Sequence, residues 1–168
     1  MFNKNDIVLI DTNVIIEAYR VNCWNTLAQY FNLHTVEKVI EETQTGFQNR
    51  SLEQLIDETS LRNSFGHIQA ISELQVIQFD MTNVSQPLDA GEKQLIIYAH
   101  TLQQKVWFLN GPDNAAVKYA CKNGWGDHLI SLEAMNQHLR CHLKSKIERN
   151  FTESWLSQSK LKFNMGLL

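Results

Sequence analysis

Proline is scarce in this sequence: Pro87 and Pro112 are the only two among 168 residues. No Gly/Ser-rich linker or internal repeat accompanies them, so nothing marks a break between separately folding units. Cysteine is scarce as well. Cys23, Cys121 and Cys141 cannot all pair with one another and lack a C-x-x-C spacing, which suits a reducing cytoplasm. No apolar run approaches the roughly 20 residues of a membrane span, so no membrane partner is expected. The opening MFNKND runs straight into a strand, without the basic start, apolar stretch and small-residue cleavage site of a signal peptide. A net charge of −3 argues against a general nucleic-acid coat protein.

What is present is a globular composition, 43% apolar and 20% charged, in a chain long enough for one domain with a real core. The charge is uneven. Residues 1–137 carry a net −7, whereas 138–168 carry +4 from Arg140, Lys144, Lys146, Arg149, Lys160 and Lys162 against Glu148 and Glu153. This divides the chain into an acidic body, 1–137, and a basic helical extension, 138–168. The extension reads either as a solvated last helix or as an arm that meets phosphates or an acidic partner.

The run Ile7, Val8, Leu9, Ile10 has the pattern of a strand covered on both faces. Helices are expected over 14–20, 24–31 and 35–44, and a more polar helix or helix pair over 51–65. LQVIQF, 74–79, reads as a second strand and KVWFLN, 105–110, as a third, with a long helix over 89–103 between them. Further helices are expected from Asn114 to a stop at Gly124, over 128–137, and over 143–160. Strands separated by helices imply βαβ units, a mostly parallel sheet and helices on both faces. In such sheets, sites form outside the carboxyl ends of the strands.

Two acids, Asp11 and Asp113, sit where that rule places sites, and two more, Glu42 and Glu92, sit on helices. Asp11 ends the first strand, in a place where desolvating a lone charge costs several kcal/mol, although Asp is also a favoured helix N-cap. Glu42 lies on the flank of its helix, roughly 110° from the apolar centre, while Glu41 lies roughly 150° away and reads as solvated. Glu92 precedes Leu95, Ile96 and Ala99 by three, four and seven residues, so it shares their inward face. A helix dipole favours an acid in the first turn but does not ask it to face inward. Asp113 follows the third strand, again at a capping position. Four acids so placed would repel one another unless a cation lay between them, and carboxylates with water suit Mg²⁺ or Mn²⁺. Phosphodiester hydrolysis is the chemistry such an ion supports.

With these residues in place, the chain resembles the PIN-domain nucleases, including the VapC-like toxins of toxin–antitoxin pairs. The matching stretches are LIDTNV at 9–14, VIEE at 39–42, LDAGEKQLIIYA at 88–99 and PDNAAVKYACKNG at 112–124, in the family's order. The resemblance implies a single PIN-like α/β domain over 1–137 and an acidic pocket that binds Mg²⁺ or Mn²⁺. It implies catalytic roles for Asp11, Glu42, Glu92 and Asp113, metal ligation by Asp11, Glu92 and Asp113, and a supporting role for Asn13. Single-stranded RNA is the implied substrate, cut by water activated at the metal. Many relatives with this form of the third motif carry two adjacent acids at the fourth; here Pro112 stands in place of the first.

The partners so named are RNA, or else DNA in defence against foreign DNA, together with an antitoxin protein and a second copy of the chain in a homodimer. Other classes fit less well. A haloacid-dehalogenase-type phosphatase would want an aspartate where Asn13 stands, and a dinucleotide site would want glycines that DTNVII lacks. His138, Cys141 and His142 have no second ligand pair for zinc. From another class, a PIN scaffold that binds without cutting is the rival.

Overall fold

The computed structural model describes residues 2–45, 56–83, 87–102 and 105–168. Among the described residues the strands are β1 (Ile7–Ile10), β2 (Asn32–Val36), β3 (His67–Gln69) and β4 (Trp107–Asn110), in the spatial order β3-β2-β1-β4. Every pairing is parallel, with Ile7 opposite Asn32 on one side and Trp107 on the other. The helices are α1 (Thr12–Arg20), α2 (Trp24–Tyr30), α3 (Glu37–Thr45), α4 (Glu58–Asn63), α5 (Glu73–Thr82), α6 (Ala90–His100), α7 (Asn114–Lys122), α8 (Leu132–Leu139) and α9 (Glu153–Asn164). This is an α/β fold with an all-parallel sheet flanked by helices.

Val8, Leu9 and Ile10 are fully buried, as a central strand covered on both faces requires. Around them Leu27, Leu33, Ile40, Leu95, Ile96, Trp107 and Met135 fill the interior. From β1 the chain adds β2 and then β3 on one side. It then returns to place β4 on the other side of β1, so the strand order reverses between β1 and β4. Open α/β sheets carry their crevice at such a reversal, beyond the carboxyl ends of the strands. Asp11 follows β1 there, and its backbone N–H donates to the Asn110 carbonyl at the end of β4 (3.2 Å).

Residues 74–79 are helical, not a strand: they lie within α5. Ser72 caps that helix through a reciprocal box with Gln75, which ties down two backbone N–H groups before the apolar run begins. Only Phe79 of the run is buried, and Leu74 and Ile77 lie on an exposed face. A short apolar run does not by itself tell strand from helix. The sheet takes β2 and β3 instead. β2 absorbs Thr35 and Val36, so α3 starts two residues later than expected; the Thr35 hydroxyl donates to the Ile10 carbonyl (2.9 Å). Of the helix expected over 51–65, α4 forms at Glu58–Asn63, and 51–55 lie outside the described residues. The helix expected from 128 starts at Leu132, where Ser131 caps it.

The basic extension packs onto the body. Ile147, Phe151 and Leu156 are buried, and before α9 the segment forms only a short 3₁₀ turn, Arg149–Phe151. Its clasp is buried Glu17, which accepts two hydrogen bonds from Arg20 (2.7 and 2.6 Å) and one from the Glu148 N–H (2.8 Å). Arg20 also donates to the Ser145 hydroxyl and to the Lys146 carbonyl. Glu17→Ala strands one end of this set away from water. It is expected to cost about 2 kcal/mol, reduced from the fully buried case by the exposure of Arg20. Urea unfolding of the two proteins measures that loss.

Candidate functional site

Three of the acids stand at helix starts, and two of them, Asp11 and Asp113, follow strand ends. Asp11 is the N-cap of α1: its carboxylate accepts from the Asn13 N–H (3.0 Å), and the residue is 1% exposed. Asp113 caps α7 through the Ala115 N–H (2.6 Å) and is exposed at the rim. Glu92 is the third residue of α6 and forms a capping box with Asp89. The Glu92 N–H donates to Asp89 (2.8 Å), and the Glu92 carboxylate accepts from the Asp89 N–H (3.4 Å). Glu92 is nevertheless buried on the core side of its helix, beside Leu95 and Ile96.

Glu42 lies between two helix starts. One carboxylate oxygen accepts from the Thr12 hydroxyl of α1 (2.7 Å), the other from the Gly91 N–H of α6 (3.0 Å). A Cβ at position 91 would collide with that carboxylate, so glycine permits the approach. Glu41 points elsewhere, to an exposed pair with Lys38 (2.9 Å). The side chain of Asn13 is exposed beside Asp11.

The electrostatics join these groups. Burial is the first cause that pushes the Asp11 carboxyl up to about 7, with Asp89 and Glu42 adding repulsion. Burial likewise pushes Glu92 up to about 8, and the charges of Asp89, Asp113 and Asp11 add to it. Two residues enter the site that the sequence reading had not assigned to it. They are Asp89, which acts on both buried acids, and Thr12, which holds Glu42. The D-x-x-E spacing of a capping box was the signal for Asp89. Among the described residues no three His, Cys, Asp or Glu side chains form a group that could hold a metal ion as they stand.

The donors are nonetheless hard oxygens, buried and mutually repelling. Mg²⁺ commonly takes one or two carboxylates and completes its shell with water and substrate phosphate. In donor chemistry, though not as a formed group, Asp11 and Glu92 suit such an ion.

The raised carboxyls fix a pH response. In the unfolded chain Asp11 and Glu92 ionise near their ordinary values of 3.8 and 4.5, far below their folded values of about 7 and 8. The folded protein therefore holds protons that the unfolded chain has released, and stability falls as pH rises through that window. His34 acts oppositely: burial lowers it from 6.5 to about 4, so it destabilises the fold as pH falls below 6.5. Above that value only the two acids act among these three groups. Between about pH 6.5 and 8 in EDTA, stability is expected to fall as pH rises, by up to roughly 1.4 kcal/mol per pH unit for each carboxyl still protonated, and the melting temperature falls with it. Mn²⁺ is expected to flatten that slope, and thermal melts across the range measure both.

A parallel α/β sheet with buried, repelling carboxylates at its strand reversal is the class of protein that the fold and site define. The chain matches no family model, no curated protein and no solved structure.

Proposed function

We propose that this protein is a PIN-type endoribonuclease that hydrolyses phosphodiester bonds in single-stranded RNA with Mg²⁺ or Mn²⁺. One observation carries the reading. Asp11 is buried at the end of β1, beside the strand reversal where α/β sheets bind ligands, and buried Glu92 feels its charge and that of Asp113. A structural carboxylate has no reason to be desolvated beside others, whereas a ligand to a hard cation does.

Asp11 and Glu92 would hold the ion from inside and Asp113 from the rim. When bound, the ion supplies Lewis acidity toward water and the phosphate oxygens. Glu42 acts as a positioning residue, fixing the starts of α1 and α6, which carry Asp11 and Glu92, relative to each other. Asp89 raises the negative field that draws the cation in. Asn13 stands exposed beside Asp11, where it can meet the substrate strand. In this reading the protein is the toxin of a toxin–antitoxin pair, held in check by an antitoxin.

The decisive assay incubates the purified protein with labelled single-stranded RNA and DNA in Mn²⁺, Mg²⁺ or EDTA. Cleavage of RNA that vanishes in EDTA is the expected result. Cleavage of DNA alone would move the substrate without moving the chemistry. A second reading, a PIN scaffold that binds without cutting, draws on the use of Asp11 and Asp113 as helix caps and of Glu92 in a capping box with Asp89. It would be favoured by RNA binding with no cleavage in either metal.

A further inference from the structure

We infer that the cleft between α1 and the 3₁₀ turn of the C-terminal segment is a base subsite that selects guanine next to the scissile phosphate. This rests on the nuclease reading for its place in the reaction, though not for its chemistry. The cleft has a volume of about 200 Å³ and is lined by Asn13, Ile16, Glu17, Glu148, Asn150 and Phe151. Asn13 belongs to both places. Its backbone N–H holds Asp11 (3.0 Å), and the residue also lines the cleft, so the cleft adjoins Asp11 along α1.

The size suits one base, since sites for drug-sized ligands span roughly 300–1,000 Å³. The lining excludes a phosphate. Glu17 is consumed by Arg20 and the Glu148 N–H; the Glu148 side chain is 63% exposed and makes a long ion pair with Arg20 (3.9 Å), which leaves lone pairs of its carboxylate for other donors. An exposed carboxylate repels a phosphate and, being acceptor-only, asks for donors. Guanine alone offers two adjacent donors on its Watson–Crick edge, N1–H and the N2 amino group; adenine and cytosine pair one donor with an acceptor. The amides of Asn13 and Asn150 supply donors for the guanine O6 acceptor, and Ile16 and Phe151 give an apolar floor. Splayed bases of single-stranded RNA are read in this way, by edges against a partly apolar wall.

The test uses the full chain and the dinucleotides GpU, IpU, ApU and CpU, titrated in EDTA and followed by amide chemical shifts. GpU is expected to bind about tenfold more tightly than ApU or CpU, the low end for bidentate discrimination at an exposed site. IpU, which lacks the N2 amino group, should fall between, and the shifts should centre on Asn13 and Asn150. Glu148→Gln, an exposed change, should bring all four within about twofold, because an amide offers one acceptor in place of two. Equal binding of the four by the parent protein, or a guanine preference that survives Glu148→Gln, overturns the inference. The two readings fail separately. Guanine-selective binding without any metal-dependent cleavage of RNA removes the nuclease and keeps the subsite. Cleavage without base-selective binding does the reverse.

Discussion

Asp11→Asn is expected to lower the rate of RNA cleavage by a factor of about 10³ or more while leaving the fold intact, in line with the loss of one preorganised electrostatic group. The substitution keeps the shape of the side chain. Its amide oxygen still accepts from the Asn13 N–H that Asp11 holds at 3.0 Å, so α1 keeps its cap. The charge is what disappears. Because burial already pushes the Asp11 carboxyl up to about 7, a neutral group there is no burden to the metal-free protein, whose melting temperature should hold or rise. Initial rates in Mn²⁺, set beside a melt, separate the two effects. Cutting at the parent rate would refute the mechanism.

Glu92→Gln separates a shared cation from ordinary helix capping. Glutamine at this position can still reach back to the Asp89 N–H, so the capping box survives. If the acids share an ion, a neutral side chain at 92 should stabilise the metal-free protein or leave it unchanged, since burial first, and the neighbouring acids after it, disfavour the ionised carboxyl. The same change should shrink the stabilisation by Mn²⁺, which in the parent reaches about 2.7 kcal/mol at a hundredfold excess over Kd. If Glu92 serves only the helix dipole, the change should instead cost a few tenths up to about 1 kcal/mol and leave the metal response whole. Melts of both proteins in EDTA and in Mn²⁺ decide between these outcomes.

The parts of this fold that could be read from the chain are those in which local pattern and burial agree. Val8, Leu9 and Ile10 look like a central strand and are one; Leu95, Ile96 and Ala99 look like an inward helix face and are one. β2 escaped because NLHTV is buried through tertiary partners rather than through its own apolarity: His34 meets the Tyr98 hydroxyl (2.8 Å), and Thr35 meets the Ile10 carbonyl. β3 is three residues long with an exposed histidine, too short to show a period. LQVIQF misled because the local cap at Ser72 outweighed its strand-like composition. In the site, the separation of Glu42 from Glu41 followed from angles on one helix and agrees with their different partners. Thr12 could not be read in this way, because its role depends on α3 crossing the start of α1, a contact between segments 30 residues apart.

The meeting of Glu42 with Gly91 couples two positions 49 residues apart in the chain. Any side chain at 91 strikes the carboxylate at 42, so enlarging the first demands that the second shorten or swing away. Among descendants of this sequence, alanine at 91 would then travel with aspartate at 42, whose shorter stem draws the carboxylate back toward its own helix. The reverse pairing, glycine with glutamate, would persist wherever the two helix starts stay bridged.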